Sequence, residues 1–274
     1  VVDRDDEKLF RGTLLKGAVG NYSKAPGFRE SAETYGNPNL TPENAVHVSL
    51  GFEQQIYSAL KLDVQGFFIW RYNMVVQTQA RRGGVGAPLY YSNDSEGYAY
   101  GMELLLKHEL TKRFYGWIAY TLSESKQQRK PGDEFTNFIF NQRHILTVVA
   151  STKLPWGIEA GLRFRLVSGR WDTPILAGIY NNDKQTYEAI TGTPMSEELP
   201  LFHQLDLRIE KTWLFKLWKL SLYLDIQNLY NQENPEAILW DYRFKEQGVL
   251  PGIPLLPTLG LTGSFSPWPV TSRR

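Results

Sequence analysis

Polar and apolar residues alternate along most of this chain, most regularly over residues 201–230. Leu205, Leu207 and Ile209 alternate with Asp206, Arg208 and Glu210; after a short turn, Leu220, Leu222, Leu224 and Ile226 alternate with Ser221, Tyr223, Asp225 and Gln227. A strand projects successive side chains to opposite faces, so each arm has one aliphatic and one polar face. A half-buried strand of a soluble sheet has the same period, so the residue types must narrow the reading. One face is purely aliphatic, the other carries charges of both signs, and Trp213 and Trp218 flank the turn. That combination predicts a transmembrane β-hairpin, with lipid on one side, a polar lumen on the other, and amphipathic aromatics at the water boundary.

The same pattern recurs in about ten segments. The first runs from Leu9 to Tyr22, with Thr13, Leu15, Gly17 and Val19 on one face. Val46 to Phe52 and Leu62 to Trp70 form the next two. Tyr98, Tyr100, Met102, Leu104 and Leu106 share a face of the fourth, and Phe114, Gly116, Ile118, Tyr120 and Leu122 a face of the fifth. A sixth strand is expected around Ile145 to Thr152. The seventh sets Ile158, Ala160, Leu162, Phe164 and Leu166 against Glu159, Arg163 and Arg165, and the last covers Thr258 to Phe265. Long connections follow Tyr22, Gln79, Leu122, Trp171 and Tyr230, and they alternate with short ones at Tyr57, Thr111, Lys153 and Leu214. Gly-rich Arg81 to Pro88, Trp171 to Pro200 and Asn231 to Pro254 read as loops. Segregation of loop length is expected of outer-membrane barrels, which have short periplasmic turns and long external loops. The expected fold class is therefore all-β, a transmembrane antiparallel up-and-down barrel with both chain ends periplasmic. Residues 1–265 form its wall and 266–274, with two prolines that cannot continue a ladder, a short periplasmic tail.

Composition agrees. Thirty Lys and Arg against 29 Asp and Glu give a net charge of +1, which offers no basic field for nucleic acid. No uninterrupted apolar stretch reaches the roughly 18 residues that a membrane helix requires, a test that strands escape. The aromatic content of 14%, including 15 Tyr and 8 Trp, suits aromatic girdles or a surface of the kind that binds carbohydrate. Val1-Val2-Asp3-Arg4 lacks the basic start and apolar core of an export signal, so a processed or partial chain is expected.

Candidate chemistry is sparse. The chain has no Cys, and His47, His108, His144 and His203 lack the paired spacing of a metal site. Gly83-Gly84-Val85-Gly86 is followed by no Lys-Ser/Thr, and no nucleophile elbow or zinc-protease motif occurs. No catalytic residue, metal or cofactor is assigned. Arg163, Arg165, Asp206, Arg208, Glu210 and Asp225 are expected on the lumen face, either against a plug or as a self-neutralising ladder between strands. Phe135, Phe138, Trp171, Tyr180, Trp240 and Tyr242 fall in the long loops, where they could stack on a ligand or pack the loops together.

Three stretches carry a resemblance. LLKGAVGNYSKAPGFRE (14–30) followed by NPNLTPE (37–43), GYAYGMELLL (97–106), and DIQNLYN (225–231) with LPTLGLTGSF (256–265) are similar, in this order, to elements of the TonB-dependent outer-membrane receptors. The resemblance implies a 22-stranded barrel closed by a plug, of which these stretches are the C-terminal half. It implies as partners the remaining strands and a plug domain, the TonB complex acting through the plug, and outer-membrane lipid and lipopolysaccharide. The function expected is TonB-energised substrate uptake in the bacterial outer membrane; the alternative is a self-contained ten-stranded barrel acting as a passive channel, structural protein or rim-active protease.

Overall fold

The computed structural model describes residues 12–34, 36–78 and 90–265. The expected strand start at Leu9, the loop Arg81–Pro88 and the tail 266–274 lie outside the described residues. The alternating segments form one antiparallel sheet. Its strands, from edge to edge, are β1 (Thr13–Lys24), β2 (Glu43–Tyr57), β3 (Leu60–Gln77), β4 (Tyr91–His108), β5 (Phe114–Gln128), β7 (His144–Leu154), β8 (Ile158–Val167), β13 (Phe202–Leu214), β14 (Trp218–Gln227) and β17 (Leu256–Phe265). The two-residue β6 (Thr136–Asn137) adds to β5. Each strand pairs with its predecessor, so the topology is up-and-down.

The register keeps the aliphatic set on one face throughout. Phe52 lies between Leu15 and Val64, Val64 opposes Leu104, and Leu104 opposes Tyr120. Farther along, Leu162 lies between Ala150 and Leu207, and Leu207 opposes Ile226. A slip of one residue anywhere would put this set on the polar face.

Burial is inverted relative to a soluble domain. Among the described residues only Val167 and Leu199 are buried hydrophobics, while Leu15, Leu50 and Leu261 are 78%, 72% and 67% exposed. The largest fully buried side chains are Asn141, Asn228 and Ser95. An exposed apolar face spread over ten strands would aggregate in water and is at home in hydrocarbon. Trp213, Phe215 and Trp218 mark one rim of that face, with Phe215 stacked on Trp218 at 4.1 Å between ring centroids.

Connections 58–59, 109–113, 155–157 and 215–217 lie at that rim; the strand ends Gln77 and Tyr91, residues 25–34 and 36–42, and connections 129–143, 168–201 and 228–255 lie at the other. The last two are more ordered than the loops their composition predicts. They hold the hairpins β10–β11 (Ile175–Asn181, Thr186–Thr191) and β15–β16 (Pro235–Trp240, Gln247–Pro251), and β9 (Trp171–Asp172) pairs with β12 (Glu197–Glu198). Local chemistry explains the first hairpin: the Asn181 side chain accepts the N–H groups of Asp183 and Lys184 at 3.0 and 3.2 Å, closing the turn.

The sheet does not close on itself: β1 and β17 each have a strand neighbour on one side only. The self-contained ten-stranded barrel weighed from sequence is therefore not what the described residues form. The arrangement is that of a partial barrel.

Candidate functional site

The long connections gather at one end, and their positions follow from polar side chains at the strand ends. Helix α1 (Phe28–Ser31) is capped by Glu30, whose carboxylate accepts the Gly27 N–H at 2.6 Å. Asn37 then donates to the Tyr91 carbonyl at 2.9 Å, and Asn93 exchanges two bonds with the Thr41 backbone at 2.8 and 3.0 Å. These bonds fasten the first loop onto the end of β4. In the third loop, Gln128 donates to the Asp133 carbonyl at 2.6 Å and Asp133 N–H to the Lys130 carbonyl at 3.0 Å.

Between these two loops lies a cavity of about 1180 Å³, lined among others by Phe28, Arg29, Tyr90, Arg129, Lys130 and Asp133. Phe28 is 91% exposed. Arg29, Arg129 and Lys130 make no ion pair among the described residues, so three cations face one carboxylate. A concave site with aromatic walls and unspent cations suits a large anionic ligand, since such cations keep every donor for the guest. The run of Arg129 and Lys130 beside Phe28-Arg29 was legible as residues; their meeting across about a hundred positions of sequence was not.

The aromatics expected in the loops divide. Tyr180, Tyr187 and Tyr242 form a chain, with ring centroids 5.1 Å and then 6.0 Å apart, joining the β10–β11 and β15–β16 hairpins. Arg243 donates to the Tyr242 hydroxyl at 2.6 Å. Tyr187 completes this cluster, and nothing in its sequence neighbourhood marks it. Phe135 and Phe138, three residues apart, separate to opposite faces of the sheet. Phe135 packs on Tyr98 of the apolar face at 5.2 Å, and Phe138 lies under the Arg71 guanidinium of the polar face at 4.3 Å. Trp171 sits in β9 opposite Glu198, and Trp240 in β15 opposite Gln247. Neither joins the tyrosine chain.

The charged set of the polar face is mostly a ladder. Arg163 binds Asp206 with two N–H groups at 2.9 and 2.6 Å, and Arg208 reaches Glu210 at 3.0 Å and Asp225 at 3.3 Å. Arg165 stands apart, its guanidinium over the Phe202 ring at 5.5 Å. Lys16 bridges Glu53 at 3.0 Å and Asp63 at 2.5 Å, and Lys61 also reaches Glu53. In the loops, Lys184 holds the Glu188 carboxyl below the usual carboxylate range, and backbone N–H groups of Glu246 and Lys245 do the same to Asp241.

Asparagines do structural work that sequence reading missed. Asn228, fully buried with φ of 51°, donates to the carbonyls of Gln232 and Ile253 at 2.9 Å each and accepts the Gln232 N–H at 2.9 Å. Asn234 accepts the His203 N–H and donates to its carbonyl, both at 3.0 Å. Together they tie the last long connection to the ends of β13 and β14. The DIQNLYN stretch thus has a structural reason: Asn tolerates the left-handed conformation and carries donors and an acceptor.

Comparison with known proteins gives a consistent result. No curated protein matches the chain. Among solved structures, FpvAI in complex with pyocin S2 aligns with a TM-score of 0.65 at 14% identity, over 92% of this chain and 31% of the receptor. The FrpB iron transporter of Neisseria meningitidis aligns at 0.63 and 15%, over 92% and 37%. The ferric-catecholate import receptor Fiu of E. coli K12 aligns at 0.58 and 16%, over 92% and 32%. The chain thus spans about a third of the length of these receptors and shares the fold of that part. Residues 8–229 match the family described as TonB dependent receptor-like, beta-barrel. An outer-membrane wall built as an open up-and-down sheet and matched over most of its length leaves one assignment: this chain belongs to the TonB-dependent receptor β-barrel family.

Proposed function

We propose that this chain supplies a stretch of barrel wall and part of the external loop crown of an uptake receptor, and that its ligand is an anionic metal chelate. The observation that carries the reading is the cavity between α1 and the third loop, where Arg29, Arg129 and Lys130 stand without carboxylate partners among the described residues, beside exposed aromatics. The iron-linked names of two structural neighbours, the FrpB iron transporter and the ferric-catecholate receptor Fiu, agree with an anionic iron chelate. In this reading the short turns are periplasmic, both chain ends point to the periplasm, the charged ladder lines the lumen beside a plug, and TonB acts through that plug. The tyrosine chain over Tyr180, Tyr187 and Tyr242 forms a second contact surface at the crown.

The test is titration of the assembled receptor with a ferric tris-catecholate, followed by quenching of intrinsic tryptophan fluorescence. Arg29→Gln, Arg129→Gln and Lys130→Gln should each weaken binding by roughly ten- to a hundredfold, because a charge-assisted hydrogen bond contributes about 1.5–3 kcal/mol. Neutralising Lys184, which lies on the β10–β11 turn, should leave affinity unchanged. Equal affinity in all four variants would remove the cavity from the ligand path.

A further inference from the structure

On the apolar face, the stripe of β5 formed by Phe114, Gly116, Ile118, Tyr120 and Leu122 ends in two charges of the same parity, Glu124 and Lys126. Their cross-strand partners on β4 are Tyr100 and Tyr98. The Glu124 carboxylate is spent: one oxygen accepts from Lys126 at 2.9 Å, the other from the Tyr100 hydroxyl at 3.1 Å and from Arg143 at 3.5 Å. Two cations thus share one saturated carboxylate, and among the described residues each keeps free donors. Arg143 is half exposed and Lys126 one-third exposed.

Charge on a lipid-facing surface is tolerated where it reaches the interface. The β5 stripe spans nine residues, about the length of a tilted strand crossing the hydrocarbon. Glu124 and Lys126 therefore emerge just beyond it, at the rim that carries the long connections and beside Tyr98 and Tyr100, as an aromatic girdle requires. Directly below, a groove of about 670 Å³ is walled by Gly66, Tyr100, Met102 and Leu122 and topped by Glu124 and Arg143. It exists because Gly66 has no side chain: a Cβ there would find its nearest neighbour, the Leu50 carbonyl, 3.8 Å away.

We infer that this is a lipid site, in which Lys126 and Arg143 bind a phosphate of an acylated, phosphorylated glycolipid of the outer leaflet, the chemistry of lipopolysaccharide, while one acyl chain lies along Gly66. The charge surplus selects an anion, and the apolar groove continuous with the cations selects one that carries a chain. A soluble anion would leave the groove empty. The inference rests on the orientation proposed above, with long connections outside.

The experiment uses the receptor extracted from native outer membranes in mild detergent, with bound lipid identified by native mass spectrometry and folding followed by heat-modifiable migration. The unmodified receptor should retain lipopolysaccharide. Lys126→Gln combined with Arg143→Gln should lose it, Gly66→Leu should lose it by filling the groove with both cations intact, and Lys126→Arg should keep it. Either losing variant decides the matter alone should the other fail to fold. Orientation is read separately, by labelling Asn182→Cys on intact cells with an impermeant maleimide. External labelling with lipid retained equally in every folded variant overturns the site and leaves the orientation standing. Absence of labelling overturns the orientation and the outer-leaflet site together. Retention of a glycerophospholipid in place of lipopolysaccharide also overturns the assignment.

Discussion

At the scale of single residues, two kinds of position govern the wall. Leu224 sits mid-stripe on β14 between Ile209 and Leu259, with only aliphatic neighbours across both ladders. Leu224→Arg should cost about 2–4 kcal/mol in urea unfolding of the receptor from lipid vesicles, the range for a cation at the bilayer midplane. Thr262→Arg, exposed on the opposite face of β17, should cost far less. Similar losses would mean that the faces are assigned wrongly. Asn228 is the other kind. Asn228→Ala leaves the carbonyls of Gln232 and Ile253 without their buried donor, a penalty of about 1–3 kcal/mol. The loss should appear as faster amide exchange across 232–253 while the strands stay protected; uniform exchange behaviour in both proteins would contradict the anchoring role.

At the scale of elements, the β15–β16 hairpin depends on Asp241. Its carboxylate accepts the N–H groups of Lys245 at 2.7 Å and Glu246 at 3.1 Å, which hold its pKa below the ordinary value. The folded value lies below the unfolded one, so the turn's stabilisation is complete above the usual carboxylate range near ~3.9 and is lost as pH falls through the depressed value. Protection factors of the Lys245 and Glu246 amides should therefore drop in that acid window and nowhere above it. Asp241→Asn should abolish the step. A step centred near neutral pH would point to a different group. The β10–β11 hairpin leans on this one: a Cβ at Gly178 would lie 2.0 Å from the Arg243 carbonyl, so Gly178→Ala should push the two hairpins apart and break the tyrosine chain between them.

At the scale of the molecule, the open edges decide behaviour. The backbone of β1 and of β17 is laddered on one side only, and in hydrocarbon each unmet N–H or C=O costs several kcal/mol. Both edges must pair with further strands in the membrane. Expressed alone, residues 1–274 should fail to give a heat-modifiable, protease-resistant barrel, and supplied with the complementary part of a receptor barrel they should recover it. A monodisperse folded species from the chain alone would show that β1 and β17 pair with each other in the bilayer.

Strand positions, the face of each residue and the segregation of short from long connections were legible in the sequence, because period-two alternation and turn composition are properties of neighbouring residues. The ten strands fall where the pattern sets them, with β3, β4 and β5 running several residues farther toward the loops than their apolar stripes. Those extensions carry polar side chains such as Asn93, Ser95 and Gln128, which donate to the backbone carbonyls of Thr41, Gln128 and Asp133 and so fasten the strand ends by hydrogen bonds rather than by apolar contrast. Long-range meetings could not be read. Phe135 and Phe138 fall three residues apart in one expected loop and lie on opposite faces, since β6 continues the alternation of the sheet. Tyr180 and Tyr242 looked like separate candidates and are joined through Tyr187. The cations of the third loop meet Arg29 only because Asn37 and Asn93 fasten the first loop over the end of β4. Alternation fixes which side of a strand a residue occupies, and that is local; which residues become neighbours depends on register and on hydrogen bonds between segments tens to hundreds of residues apart, and only the folded chain decides them.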